Sequence, residues 1–289
     1  MSDQAGKLRE IVSNDELYES LTHQIKVYSI ISGKGGVGKT NLTVNLAIKL
    51  QEMGKKVLIL DADVGMSNTD LVMGIGIKNT LLDLIENNLN LEDIIAKGPY
   101  GVDLISGGED LFLLEKLNKE KQKEIIQNLA ELGEYDVLLI DNGAGITKQS
   151  LTFTILANEI ILITTPEPTS ITDAYRVLKA ISIYELKNNV KVVINQVSDF
   201  ETGDEAFNKL LKTSELFLDV ELENMGYVFS DIRVNKAVME QIPLVISYPD
   251  ALASSNISQI SAAILGDKDY TNNITNLKQF KNRLIRLFG

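Results

Sequence analysis

Two lysines, Lys34 and Lys39, stand five positions apart in the glycine-rich run GKGGVGKT at residues 33–40. The run fits the spacing G-x-x-x-x-G-K-[ST], follows a β-branched stretch and precedes a helical one, the setting in which that spacing binds phosphate. Gly33, Gly35, Gly36 and Gly38 let the backbone curl until several N–H groups face phosphate oxygens, helped by the positive end of the following helix. Lys39 is placed to neutralise β- and γ-phosphates, and the Thr40 hydroxyl to ligate Mg²⁺. With Val37 and Asn41, these residues form the expected nucleotide-binding loop. A phosphate loop needs one lysine. Lys34, at the start of the loop, points away from the phosphates of its own loop and requires a different role.

Three carboxylates stand at strand ends. Asp61 and Asp63 close the run KVLILDAD, and Asp141 closes YDVLLID. Apolar, β-branched runs predict buried parallel strands at 26–32, 56–62, 135–141, 159–165 and 190–195, with shorter ones at 102–106 and 227–230. Helical stretches lie between them. In NLTVNLAIKLQEM, Leu42, Leu46, Lys49, Leu50 and Met53 share one face and predict an amphipathic helix. Strands alternating with helices imply right-handed crossovers and an α/β fold of three layers, a mostly parallel central sheet covered by helices on both faces. Such sheets bind ligands beyond the carboxyl ends of their strands, where all three carboxylates fall. Asp141 is the acid expected to hold Mg²⁺ through water.

Composition narrows the classes. A chain of 289 residues suffices for one large domain. It has no cysteine, which excludes disulfides, thiolate zinc sites and cysteine-held iron–sulfur clusters. The net charge of −12 argues against broad nucleic-acid binding. A charged N-terminus without an apolar h-region, and the absence of any long apolar run, predict a cytoplasmic protein. His23, the only histidine, stands outside any cluster and is expected to be structural or solvated.

The pattern K-G-G-x-G-K-T resembles the deviant phosphate loop of the MinD/ParA superfamily of P-loop ATPases. The resemblance implies an ATPase whose first lysine, here Lys34, reaches the ATP bound by a second copy, so that ATP holds a homodimer together. A cation supplied in trans stabilises charge on the transferring phosphoryl group. It further implies Asp61 near the Mg²⁺ shell, Asp63 positioning the attacking water, Asn195 hydrogen-bonding adenine, and Asp173 at the interface. One departure stands out: Asn142-Gly143 occupies the place where the superfamily often has x-Pro in D-x-P-A-G. Gly143 and Gly145 leave that loop free to follow the γ-phosphate, but its rigidity is open. A ParA-type DNA-partitioning role would need a basic surface, and nitrogenase-type relatives need cysteines. A MinD-type division regulator remains as the alternative.

The two ends differ from the ATPase body at 23–265. Residues 266–275 read as a tether, and 276–289 as an amphipathic helix with Leu277, Phe280, Leu284, Leu287 and Phe288 in one stripe. Lys278, Lys281, Arg283 and Arg286 flank the stripe, with no acid among them. A helix of that length reaches ~20 Å, short of a ~30 Å hydrocarbon core, so it lies on anionic lipid rather than crossing it. It resembles a MinD membrane-targeting segment. At the other end, residues 1–22 carry DQAGKLR, with Asp3, Gln4, Ala5, Leu8 and Arg9 matching D-Q-A-x-x-L-R. That element resembles the activator segment of the FlhG family (also called YlxH or FleN), relatives of MinD that control flagellar number and placement. The resemblance implies a signal-recognition-particle-type GTPase, FlhF, as partner, with Gln4 offered to its site, and flagellar switch (C-ring) proteins as further partners. It also implies reversible residence on the inner face of the cell membrane.

Overall fold

Residues 25–63, 68–87, 89–108 and 132–266 are described by the computed structural model. The activator segment with Asp3, Gln4, Ala5, Leu8 and Arg9, His23, the tether beyond Gly266 and the apolar stripe at 276–289 lie outside these residues.

Among the described residues, seven strands form one sheet in the order β3-β2-β4-β1-β5-β6-β7. They are β1 (Lys26–Ser32), β2 (Val57–Ala62), β3 (Val102–Ser106), β4 (Val137–Ala144), β5 (Glu159–Thr164), β6 (Asn189–Val197) and β7 (Glu221–Phe229). Every pairing between them is parallel, which requires helical crossovers and leaves both faces to be covered. Accordingly β1, β2, β4 and β5 are buried along almost their whole length.

The helix after the glycine-rich loop, α1 (Lys39–Glu52), lies on one face. The short α2 (Thr69–Met73), α3 (Asp83–Glu86) and α4 (Leu91–Ile94) follow β2. On the opposite face lie α5 (Lys148–Leu156), α6 (Pro168–Ile183) and α7 (Phe200–Phe217). The chain then returns to the first face with α8 (Ile232–Glu240), α9 (Leu244–Ser247) and α10 (Leu252–Ile264).

The amphipathic reading of α1 is corrected. Leu42 to Ile48 are all buried, along with Leu50, while Met53 lies past the helix end and is exposed. The sheet covers one side of α1, and α9 and α10 pack on the other, so the helix is buried nearly all round. A helix held on two sides is a rigid base for the loop at its N-terminus.

Candidate functional site

The sheet places β1 beside β4, and their two crossovers leave on opposite faces. The crevice this opens beyond the strand ends is where parallel α/β sheets bind ligands. Into it run the loop after β1 and the carboxylates of β2 and β4.

Gly36 and Gly38 have φ of 78° and 86°, a left-handed backbone that favours glycine. Gly38 is also the N-cap of α1, which has no side-chain cap and no acid in its first turn. Its amides and dipole therefore suit an anion. Gly33 has another reason to be glycine: a Cβ there would lie 2.2 Å from the carbonyl carbon of Asp173. The loop thus rests directly on the backbone of α6. The Asp173 side chain pairs with Arg176 at 2.6 Å.

Lys39 Nζ stands 2.7 Å from Asp141 Oδ1, with 7% and 0% of the two side chains exposed. The Asp141 carboxylate also accepts hydrogen bonds from the hydroxyls of Thr43 and Thr69, at 3.3 and 3.4 Å, and from Thr40. Burial pushes the Asp141 carboxyl up, against the opposing pull of the Lys39 ammonium. Asp61 is Asp141's register neighbour on β2 and accepts the N–H groups of Asp63 and Thr69, at 3.0 and 3.3 Å. Its carboxylate thereby shapes the turn that carries Asp63. The Asp63 carboxyl is raised first by burial and then by Asp141 and Asp61, with Lys39 opposing. Gly143 lies under it, since a Cβ there would come 3.0 Å from Asp63 Oδ1.

Asn195 and Gln196 brace the loop from β6. Asn195 Nδ2 donates to the Val37 carbonyl at 2.7 Å, and Gln196, itself left-handed at φ 58°, donates to Gly36 at 3.4 Å. Beside them opens a cleft of about 410 Å³ between Gly38 and Asn41 on one side and Phe229 to Asn235 on the other. Apolar walls with a few amide groups suit a flat heterocyclic base.

Lys34 is oriented differently. Its Nζ meets Glu167 Oε2 at 2.7 Å and Thr169 Oγ1 at 3.1 Å on an exposed surface. The ammonium holds the Glu167 carboxyl below the ordinary carboxylate range. The structure therefore brings Lys39, Thr40, Asp61, Asp63 and Asp141 into one cluster, with Asn195 against the loop and Lys34 turned outward. Glu167, Thr43 and Thr69 were not among the residues expected from the sequence. Thr43 follows Lys39 by about one helical turn and was detectable. Glu167 and Thr69 carry no local signal.

The donor set fits Mg²⁺, which takes hard oxygens and is commonly held by one or two carboxylates together with substrate phosphates. The Asp141 carboxylate and Thr40 hydroxyl supply such oxygens side by side. Among the described residues no group of three or more His, Cys, Asp or Glu could hold a metal alone.

The family model for ParA, described as "NUBPL iron-transfer P-loop NTPase", matches residues 23–265. The antiactivator FleN of Pseudomonas aeruginosa is 36% identical over 233 residues, covering 80% of this chain and 83% of that protein. The flagellum site-determining protein YlxH of Helicobacter pylori is 29% identical and covers 100% of both chains. Among solved structures, the MinC:MinD cell division complex of Aquifex aeolicus superposes with a TM-score of 0.70 at 27% identity, covering 83% of this chain and 96% of that one. The Mg-ADP complex of the septum site-determining protein MinD from Pyrococcus horikoshii gives 0.68 at 27% identity, with 83% and 96% covered. With this phosphate loop, sheet and carboxylate set, the chain belongs to the MinD/ParA family of P-loop ATPases, on its FlhG (FleN, YlxH) branch.

Proposed function

We propose that the protein is a Mg²⁺-dependent ATPase that works as a switch: ATP joins two copies, hydrolysis parts them, and the dimer regulates flagellar number or placement. The observation that carries this reading is the second lysine. Lys39 and Asp141 already form the buried pair at the base of the loop, whereas Lys34 stands on the surface, held only by exposed partners.

In the proposed reaction, loop amides and Lys39 hold the β- and γ-phosphates, with Lys39 exchanging its bond to Asp141 for phosphate oxygens. Mg²⁺, when bound, would offset the charge of the phosphate oxygens. Thr40 and Asp141, with Asp61 beside them, are the residues that hold it. Asp63 orients a water for in-line attack on the γ-phosphorus. The bond from that phosphorus to the bridging oxygen breaks, ADP and phosphate leave, and the water proton is taken up near Asp63. Lys34 leaves Glu167 and supports the partner copy's phosphoryl group as charge develops. The cleft beside Asn195 takes the base. One N–H of the Asn195 amide is held by the Val37 carbonyl, which leaves the second to donate to adenine.

The flagellar assignment draws on the similarity to FleN and YlxH and on DQAGKLR at the head. FlhF is the proposed partner, with Gln4 the residue offered to its site. Anionic lipid is the proposed partner of residues 276–289. Purified FlhF with a peptide of residues 1–22 tests the assignment. Accelerated GTP hydrolysis that disappears with Gln4→Ala supports it. No acceleration by peptide or whole protein overturns it in favour of a MinD-type division regulator.

A further inference from the structure

We propose that Asn142 is a positioning residue for hydrolysis: its side-chain amide fixes the end of β4 behind Asp141 and so sets where Gly143 meets Asp63. The inference rests on the ATPase reading above and names a residue that reading does not use.

The backbone shows what there is to hold. β4 and β1 pair regularly from Lys26↔Val137 to Ile30↔Asp141, then resume at Ser32↔Ala144. Two steps along β1 are matched by three along β4, a bulge directly behind Asp141. On its other edge β4 stays in register with β2 through Ala62↔Asn142, so the irregularity opens only towards β1. Bulges next to active sites re-aim the residues that follow, but they leave ladder groups to be satisfied some other way.

Asn142 fills that gap. Its side chain is fully buried, and its Nδ2 lies 3.0 Å from Ser29 Oγ, 3.1 Å from the Ile30 carbonyl and 3.2 Å from the Ile140 carbonyl. Three acceptors surround two N–H groups, two on β1 and one on β4, all just before the bulge. The grip continues into α5. Ser29 Oγ lies 3.1 Å from Thr154 Oγ1, which donates to the Ser150 carbonyl, and the Ser150 hydroxyl faces the Thr147 carbonyl at 3.0 Å and the Gly145 carbonyl at 3.4 Å. Gly145 N–H in turn bonds Ser32 of β1 at 2.8 Å. The loop between β4 and α5 is thus pinned at both ends by one connected set of hydrogen bonds.

A second observation separates this residue from ordinary packing. Asn142 Oδ1 is buried and meets no donor among the described residues. A buried carbonyl left without a donor is costly, and an apolar side chain would avoid the cost. What the amide contributes is its two N–H groups. It faces the α5 side of the sheet, whereas Asp141, one residue earlier, faces α1 and Lys39. Removing the amide therefore loosens the loop at Gly143 while leaving the phosphate loop and its lysine in place. This accounts for a loop ordered without the proline common at the next position.

The test compares wild type with Asn142→Ala and Asn142→Thr, whose hydroxyl can keep one bond to Ile30. Steady-state ATP hydrolysis, binding of a fluorescent ATP analogue, and hydrogen exchange of the nucleotide-free protein are measured together. In Asn142→Ala, kcat is expected to fall on the order of 10²-fold, as misplaced catalytic groups do, with ATP affinity kept within about twofold. Exchange at 143–147 speeds up, and Asn142→Thr recovers part of both. Unchanged kcat, or affinity and kcat lost together, overturns the proposal. If Asn142→Ala does not fold, Asn142→Thr decides alone: slowed hydrolysis at retained affinity supports the proposal, and wild-type hydrolysis overturns it. Wild-type protein that turns over no more ATP than Lys39→Ala removes the underlying reading instead.

Discussion

Lys39 and Asp141 illustrate how the site keeps charge buried at tolerable cost. Either side chain alone, almost without exposure, would be strongly destabilising, and each is compensated by the other at 2.7 Å. Asp63 stands apart from that pair, half-buried over Gly143, where its carboxyl is raised and can act as an acceptor for a water proton. Asp63→Ala is expected to bind ATP normally but to lower kcat by ~10²- to 10⁴-fold, the usual worth of a positioned acid–base group. Phosphate release and nucleotide binding assays check the two halves of that statement. Gly33→Ala puts a methyl into the α6 backbone and is expected to lower stability by ~1–3 kcal/mol or more and to disorder the loop. Thermal unfolding and ATP binding measure both effects. The lysines, Thr40 and the three aspartates were legible because glycine spacing and strand ends mark them locally. Glu167 and Thr69 were not, because each meets its partner, Lys34 or Asp141, only after the chain has folded. Asn142 was visible as a departure from a pattern, but its grip on Ser29 and Ile30 depends on a bulge that no local signal announces.

At the scale of elements, burial decides what hydrophobic pattern can reveal. The β-branched runs marked β1, β2, β3 and β5 within about a residue because those strands are covered on both faces. β7 was read as YVFS alone, yet it begins at Glu221, since its first half lies on the sheet edge and is polar. β4 runs past Asp141 to Ala144 through the bulge, which the apolar pattern does not mark. Helix α8, which lines the base cleft, starts at an Asp231 N-cap whose carboxylate accepts the Arg233 N–H at 2.9 Å and its guanidinium. Asp231→Ala is expected to cost ~1 kcal/mol in urea unfolding, the usual worth of a cap. The same carboxyl is held below its ordinary 3.8, chiefly by the Arg233 side chain. Its contribution is present above that value and is lost as pH falls through the lower folded-state value. The stability gap between wild type and Asp231→Ala is therefore expected to narrow as pH falls below the ordinary carboxylate range, in unfolding curves taken at several pH values.

For the whole molecule, the phosphate loop and the described chain ends lie at opposite edges of the sheet. Ile25 lies just before β1, and at the end of α10 the Ile264 carbonyl accepts the Tyr28 hydroxyl near the start of β1. In the proposed ATP-bound dimer, two copies of the proposed lipid-binding segment at 276–289 would gain by avidity, so membrane residence would follow the nucleotide state. Phe280→Glu with Leu284→Glu is expected to leave the protein in the supernatant of anionic liposomes with ATP, where wild type sediments. Equal sedimentation of both would remove the anchor from the account. In the proposed switch, Lys34 makes ATP the joint between two copies. Light scattering coupled to size exclusion tests it directly, with Asp63→Ala loaded with ATP so that turnover does not empty the site. Asp63→Ala is predicted to elute as a dimer and Asp63→Ala with Lys34→Ala as a monomer. A double variant that still dimerises with ATP would contradict the role of Lys34 in trans.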